Sequence, residues 1–153
     1  MEEGKSRKND PWAAYRAWFW AASIYNAIWG LVVGLRPDLL LRVYGLGPGQ
    51  EAAAGALPAI LASCIGMFVG VYAIGYACVA LDPSRFWPFA AIGLAGKILG
   101  PAGWIVQHFE GHLSWPSIWV NITNDFIWWP AFIALLIKVA MGSRANNYNK
   151  SRT

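Results

Sequence analysis

Charge is what this chain has least of: only 13% of its 153 residues are Asp, Glu, Lys or Arg, against about a quarter in a soluble domain. The scarcity is uneven, because residues 17–35, 52–81, 86–96 and 111–124 carry no formal charge at all. Stretches of that length without charge exclude a fold wetted on all sides. Cysteine is also scarce. Cys64 and Cys78 fall on one expected helix, about 21 Å apart, too far for a disulfide between them. No phosphate-cradling glycine loop, nucleophile elbow, paired CxxC or haem-attachment motif occurs, so the soluble-enzyme chemistries those motifs announce have no support.

What the chain does have is apolar length. With 57% hydrophobic residues and a mean hydropathy of +0.38, it offers four spans: Trp12 to Leu35, Leu57 to Leu81, Phe86 to Val106 and Ile118 to Ile137. Each approaches the roughly 20 residues that cross a hydrocarbon core. The first is too long and too aromatic for a signal-peptide core, and no small-residue cleavage site follows it. The expected fold is therefore all-α, an integral membrane four-helix bundle of up-down topology, with residues 1–153 forming one domain. The turn Asp82-Pro83-Ser84-Arg85 makes the second and third helices antiparallel neighbours, and a short third connection does the same for the third and fourth.

Lys and Arg are segregated. Lys5, Arg7, Lys8, Arg16, Arg85, Lys138, Arg144, Lys150 and Arg152 fall on one side, and Arg36 and Arg42 on the other. This places both termini in the cytoplasm of a cell membrane crossed several times. The net charge of +4 follows from that bias and from anionic head groups, so no nucleic-acid partner is implied. The N-terminal decapeptide is polar and ends in the helix-start signal Asp10-Pro11. The first connection contains Gly45, Gly47, Pro48 and Gly49, and its LLLRVYGLG section is apolar enough for a short helix on the membrane surface. The tail after Met141 is polar and expected to fray. Of ten tryptophans, Trp12, Trp18, Trp87, Trp104, Trp115 and Trp119 fit interfacial belts, whereas Trp20, Trp29, Trp128 and Trp129 lie deeper as packing or pocket residues.

Ionisable residues inside a span are costly and mark functional candidates. There are two, Lys97 and Asp125, and counting from the outer span ends puts them roughly 13 Å and 10 Å deep. An ion pair is the simplest expectation, in a stratum nearer the outer leaflet. Asn26, Cys64 and Ser63 fall into the same layer by that count, and Tyr25 and Tyr72 can reach it. Asn121, Asn124, Asp125 and Trp128 recur at i, i+3, i+4 and i+7, one continuous helical stripe. Pro101 and Pro130 free the carbonyls of Lys97 and Phe126 four residues earlier. Gly30 with Gly34, Gly66 with Gly70 and Gly96 with Gly100 permit close helix contact. His108, Glu110 and His112 are potential metal ligands, but one glycine-containing loop lacks the three or four fixed ligands a metal needs, and no metal site is expected. The sequon Asn121-Ile122-Thr123 lies inside an apolar span and is discounted.

The segments GKILGP (96–101) and TNDFIWWP (123–130), with YNAIWG (25–30), resemble signature stretches of a family of small bacterial four-helix membrane proteins, over most of residues 12–140. No activity is assigned to that family, so the resemblance implies the fold and an inner-membrane setting, and carries no role onto Lys97 or Asp125. More distantly the four-helix plan is similar to DoxX-like proteins, some of which are associated with quinone-linked redox enzymes.

The residues support a binding module or accessory subunit first. Its ligand is a quinone, an isoprenoid or another lipid, held by Asn26, Lys97, Asn121, Asn124, Asp125 and Trp128. Competing readings are a lipid-modifying enzyme with Asp125 as acid or base beside Lys97, a transporter or proton path that requires oligomerisation, and a structural subunit of a larger membrane complex. Membrane lipids are partners in all of them. The residues name no cofactor.

Overall fold

The computed structural model describes residues 10–45 and 55–150, with side chains to 143. Lys5, Arg7, Lys8, Gly47, Pro48, Gly49 and Arg152 lie outside the described residues, as do the side chains of Arg144 and Lys150. Six α-helices account for nearly all of the rest: α1 (Ala13–Leu35), α2 (Pro37–Val43), α3 (Leu57–Leu81), α4 (Pro83–Phe109), α5 (Ile118–Asn124) and α6 (Trp129–Lys150). Two 3-10 turns, Trp115–Ser117 and Phe126–Trp128, flank α5. Among the described residues, four helical segments are long and apolar enough to cross a membrane: α1, α3, α4 and the composite Trp115–Ser143. The chain is an all-α bundle with the make-up of a multi-pass membrane protein.

Its surface agrees. Leu31, Phe68 and Leu99 are 63 to 69% exposed, while Asn26, Lys97, Asn121 and Asp125 are at most 5% exposed. In water that distribution would be inverted.

Local chemistry sets the joints. Asp10 accepts a hydrogen bond from the Trp12 amide ahead of α1. Asp82 alone separates α3 from α4, and its Oδ1 accepts from the backbone amides of Ser84 and Arg85 and from the Ser84 hydroxyl. Four orphan amides at a helix start need such an acceptor. Those bonds, the Ser84 contacts first, hold the Asp82 carboxyl below the usual carboxylate range. Because Asp82 closes the turn by itself, α4 begins at Pro83 instead of Phe86, and it continues past Val106 to Phe109. The short surface helix α2 packs Leu40 against Val33 and Ala62, and Asp38 engages both Arg36 and Arg42. The expected fraying after Met141 does not occur: α6 stays helical to Lys150, over a run that includes the strong helix formers Arg144, Ala145 and Lys150.

Two packing styles build the bundle. Across α1 and α3 the backbones touch: a Cβ placed on Gly30 would lie 2.6 Å from the Gly70 amide nitrogen, and one on Gly66 would strike the Gly34 backbone. Between α3 and α4, small residues receive aromatic rings, Gly93 beneath Tyr76 and Gly75 beneath Phe89. An aromatic core of Phe19, Tyr76 and Phe132 closes one half of the bundle, with ring centroids 4.5 to 6.1 Å apart. Lys138 of α6 donates to the Pro11 carbonyl and sits 4.2 Å from the Trp12 ring centroid, so the entry to α1 and the body of α6 share one end of the bundle. Trp104, expected in an interfacial belt, is instead buried, donating to Ser117 Oγ at 2.8 Å. Trp20, expected to pack inside, is 43% exposed.

Candidate functional site

The fourth span is not one helix. At Asp125 the backbone leaves helical geometry (φ −122°, ψ −64°), and a 3-10 turn leads into α6 just ahead of Pro130. Proline lacks an amide hydrogen and crowds the preceding turn, which accounts for the position of the break. The expected continuous stripe is therefore interrupted. The Phe126 carbonyl, expected to be freed, instead accepts from the Trp129 amide in the tightened turn.

Carbonyls orphaned by the break are taken up by side chains. Trp128 Nε1 donates to the Thr123 carbonyl at 3.0 Å, and Lys97 Nζ donates to the Asn124 carbonyl. On α4, Pro101 does release the Lys97 carbonyl, and Trp129 Nε1 donates to it at 3.2 Å. Lys97 and Trp129 thus fasten two interrupted helices to each other reciprocally.

The Lys97 ammonium lies 3.7 Å from Asp125 Oδ1, both side chains being no more than 8% exposed. This is an ion pair in which the shorter contact of the lysine is to a backbone carbonyl. Asp125 Oδ1 also accepts from Asn124 Nδ2 at 3.0 Å. Gly100 makes room for the carboxylate, since a Cβ there would sit 3.2 Å from Oδ2.

Above this pair is a cavity of about 110 Å³ walled by Asn26, Tyr72, Tyr76, Gly96, Lys97, Asn124 and Asp125, with Val69 and Gly93. Asn26 Oδ1 and Asn124 Oδ1 are buried without a hydrogen-bond partner. A buried polar atom left unpaired costs on the order of 1–3 kcal/mol. Two on one cavity wall therefore indicate space that polar matter fills. Tyr72 is also a wall of a separate apolar groove of about 390 Å³ between α3 and α4, where Phe68, Gly75 and Phe89 lie.

Of the six residues expected to bind, four, Asn26, Lys97, Asn124 and Asp125, surround this cavity. Asn121 and Trp128 do not. Asn121 is buried beside the break with its Nδ2 unpartnered, and Trp128 packs against Trp18 and Tyr25. Cys64 and Ser63 are not on the wall either; the contribution of α3 comes from Val69, Tyr72 and Tyr76, further along the helix. α4 runs on past its apolar core, so Lys97, twelve residues or about 18 Å from Phe109, lies close to the middle of the helix. Tyr76 was missed, although Tyr72 and Tyr76 stand four residues apart on one face of α3 and are its two tyrosines.

At the C-terminal end of α4 His108 stacks on Trp104 with ring centroids 5.0 Å apart, and its Nδ1 lies 2.8 Å from the Leu113 carbonyl oxygen. His112 and Glu110 pair with each other at 3.4 Å and hydrogen-bond to Gln107. Among the described residues, no three His, Cys, Asp or Glu side chains form a metal-holding group. Tyr44, just beyond α2, has its phenol raised above the ordinary tyrosine value, by burial first and by the negative charge of Asp125 second.

No family model, curated protein or solved structure matches this chain.

Proposed function

We propose that the chain is a membrane-embedded binding module or accessory subunit for a lipophilic ligand, a quinone, an isoprenoid or another lipid, whose polar head enters the cavity between α1, α3, α4 and α5. The observation that carries this reading is the cavity wall: an ion pair, two phenols and two unpartnered amide oxygens enclosing about 110 Å³ in the middle of four apolar helices. A lysine and aspartate needing only each other would require no such surplus. Ligand pockets typically enclose about 300–1,000 Å³, so this space suits a head group, and the tail belongs in the apolar groove that shares Tyr72.

The same reading sets the chain in a bacterial inner membrane with both termini in the cytoplasm, alone, as a homo-oligomer or in a larger complex. It is supported by Lys138 meeting Pro11 and Arg16 meeting Asp10 at the entry to α1, with Arg85 at the Asp82 turn of the same end, while Arg36 and Arg42 at the other are engaged by Asp38.

The test is mass spectrometry of lipids that co-purify in nanodiscs with the wild-type chain and with Gly96→Leu, which fills the cavity from α4. A lipophile retained by the first and lost from the second, with thermal unfolding similar in both, is the expected result. Identical lipid profiles sink the proposal.

A further inference from the structure

The cavity wall specifies more than polarity, and on the binding reading above we infer that the head group is neutral and carries a hydroxyl. Charge comes first. Lys97 and Asp125 are the wall's two ionisable groups of opposite formal sign, 3.7 Å apart, and the other polar groups on it, Asn26, Asn124, Tyr72 and Tyr76, are two amides and two phenols. The site is balanced as it stands. A phosphate or carboxylate head would add an uncompensated negative charge in surroundings of low dielectric, and an ammonium head a positive one.

Hydrogen-bond demand narrows the class further. The amide of Asn124 has a fixed orientation, because its Nδ2 donates to Asp125 Oδ1 and a carboxylate oxygen only accepts. The atom left bare on Asn124 is therefore its oxygen, an acceptor. It needs a donor from the cavity. Asn26, on α1 and 97% buried, adds a second amide oxygen without a partner to the wall, near the Tyr76 hydroxyl. Ethers, esters and quinone carbonyls bring no donor of their own and would leave both oxygens to water alone. An alcohol or phenol brings one, while its oxygen can accept from the Lys97 ammonium or a tyrosine hydroxyl. Size agrees, since the space holds a hydroxyl-bearing head with a few waters and not a chain. Isoprenols and quinols belong to the class; quinones and lipid phosphates do not.

The experiment uses the full-length chain in phosphatidylcholine nanodiscs, titrated with farnesol, farnesyl methyl ether and farnesyl monophosphate and read by native mass spectrometry. Farnesol binding about tenfold more tightly than either analogue, the worth of one buried hydrogen bond, is the expected result. In Asn124→Ala that preference over the ether falls to near unity, while the ether's own affinity is unchanged. An ether or monophosphate that binds as tightly as farnesol overturns the head-group inference and leaves the binding reading in place. If none of the three binds, the binding reading fails and this inference with it. Because the ligand series is decisive on the wild-type chain, a variant that does not fold leaves the result intact.

Discussion

The α1–α3 seam and the seam between α4 and the α5–α6 segment hold helices together by opposite means. In the first, glycines bring backbone against backbone, and the Ser23 hydroxyl donating to the Ala73 carbonyl at 2.8 Å adds a tether to the contact. In the second, Pro101 and the helix break ahead of Pro130 expose carbonyls, and Lys97, Trp128 and Trp129 cover them. Helices in lipid gain little from hydrophobic association, so they rely on close contact or polar satisfaction. Contact leaves nothing over. Polar satisfaction leaves remainders, and here the remainders face a cavity.

Substitutions on the two sides should separate these mechanisms. The largest effect is expected on the dry side: Gly66→Leu drives a side chain into the Gly34 backbone, which cannot step aside, and should cost about 3 kcal/mol or more. Its counterpart Gly34→Ala meets open space and should stabilise by about 0.5–1 kcal/mol, as removing a helical glycine usually does. Reversible unfolding in mixed micelles reads both, and equal effects would erase the asymmetry of the seam.

On the polar side, Lys97→Met strands the buried Asp125 carboxylate and should cost about 3 kcal/mol, with much of the loss recovered in the double variant Lys97→Met/Asp125→Asn. Additive losses in that cycle would show that the two side chains act independently. Trp129→Phe keeps the ring but leaves the Lys97 carbonyl unpaired, an expected loss of about 1 kcal/mol by the same measurement.

The smallest expected effect lies at the joint between the seams. The folded-state pKa of Asp82 is depressed, so its contribution is fully present above the ordinary carboxylate value and is lost as pH falls through the folded value. Melting temperatures of the wild type should therefore drop on acidification below about pH 4. Asp82→Asn should flatten that acid limb; an unaltered limb would remove Asp82 from the account.

Much of the first seam could be read from residues alone, because apolar length and glycine spacing are local properties. So was the release of the Lys97 carbonyl, which follows from Pro101 four residues later. The break at Asp125 was not legible: helical periodicity assumes an unbroken helix, and the stripe from Asn121 to Trp128 satisfied that assumption on paper. Tyr76 escaped because its place on the wall depends on Gly93 of another helix accepting its ring. The full length of α4 was not legible either, because polar Gln107 and His108 extend it beyond the point where its apolar character ends.

The reciprocal fastening of Lys97 and Trp129 also has a mechanical side. Sliding α4 past the α5–α6 segment by one residue would break both bonds at once, so those elements behave as one plate. The glycine contact makes α1 and α3 a second plate. Asp82 is the one-residue link between them, and the cavity, bounded by Asn26, Tyr72 and Tyr76 on one plate and Lys97 and Asn124 on the other, lies where the two meet. On the binding reading proposed above, widening the cavity asks for a tilt of one plate against the other, against the Phe19–Phe132 and Lys138–Pro11 contacts that also join them.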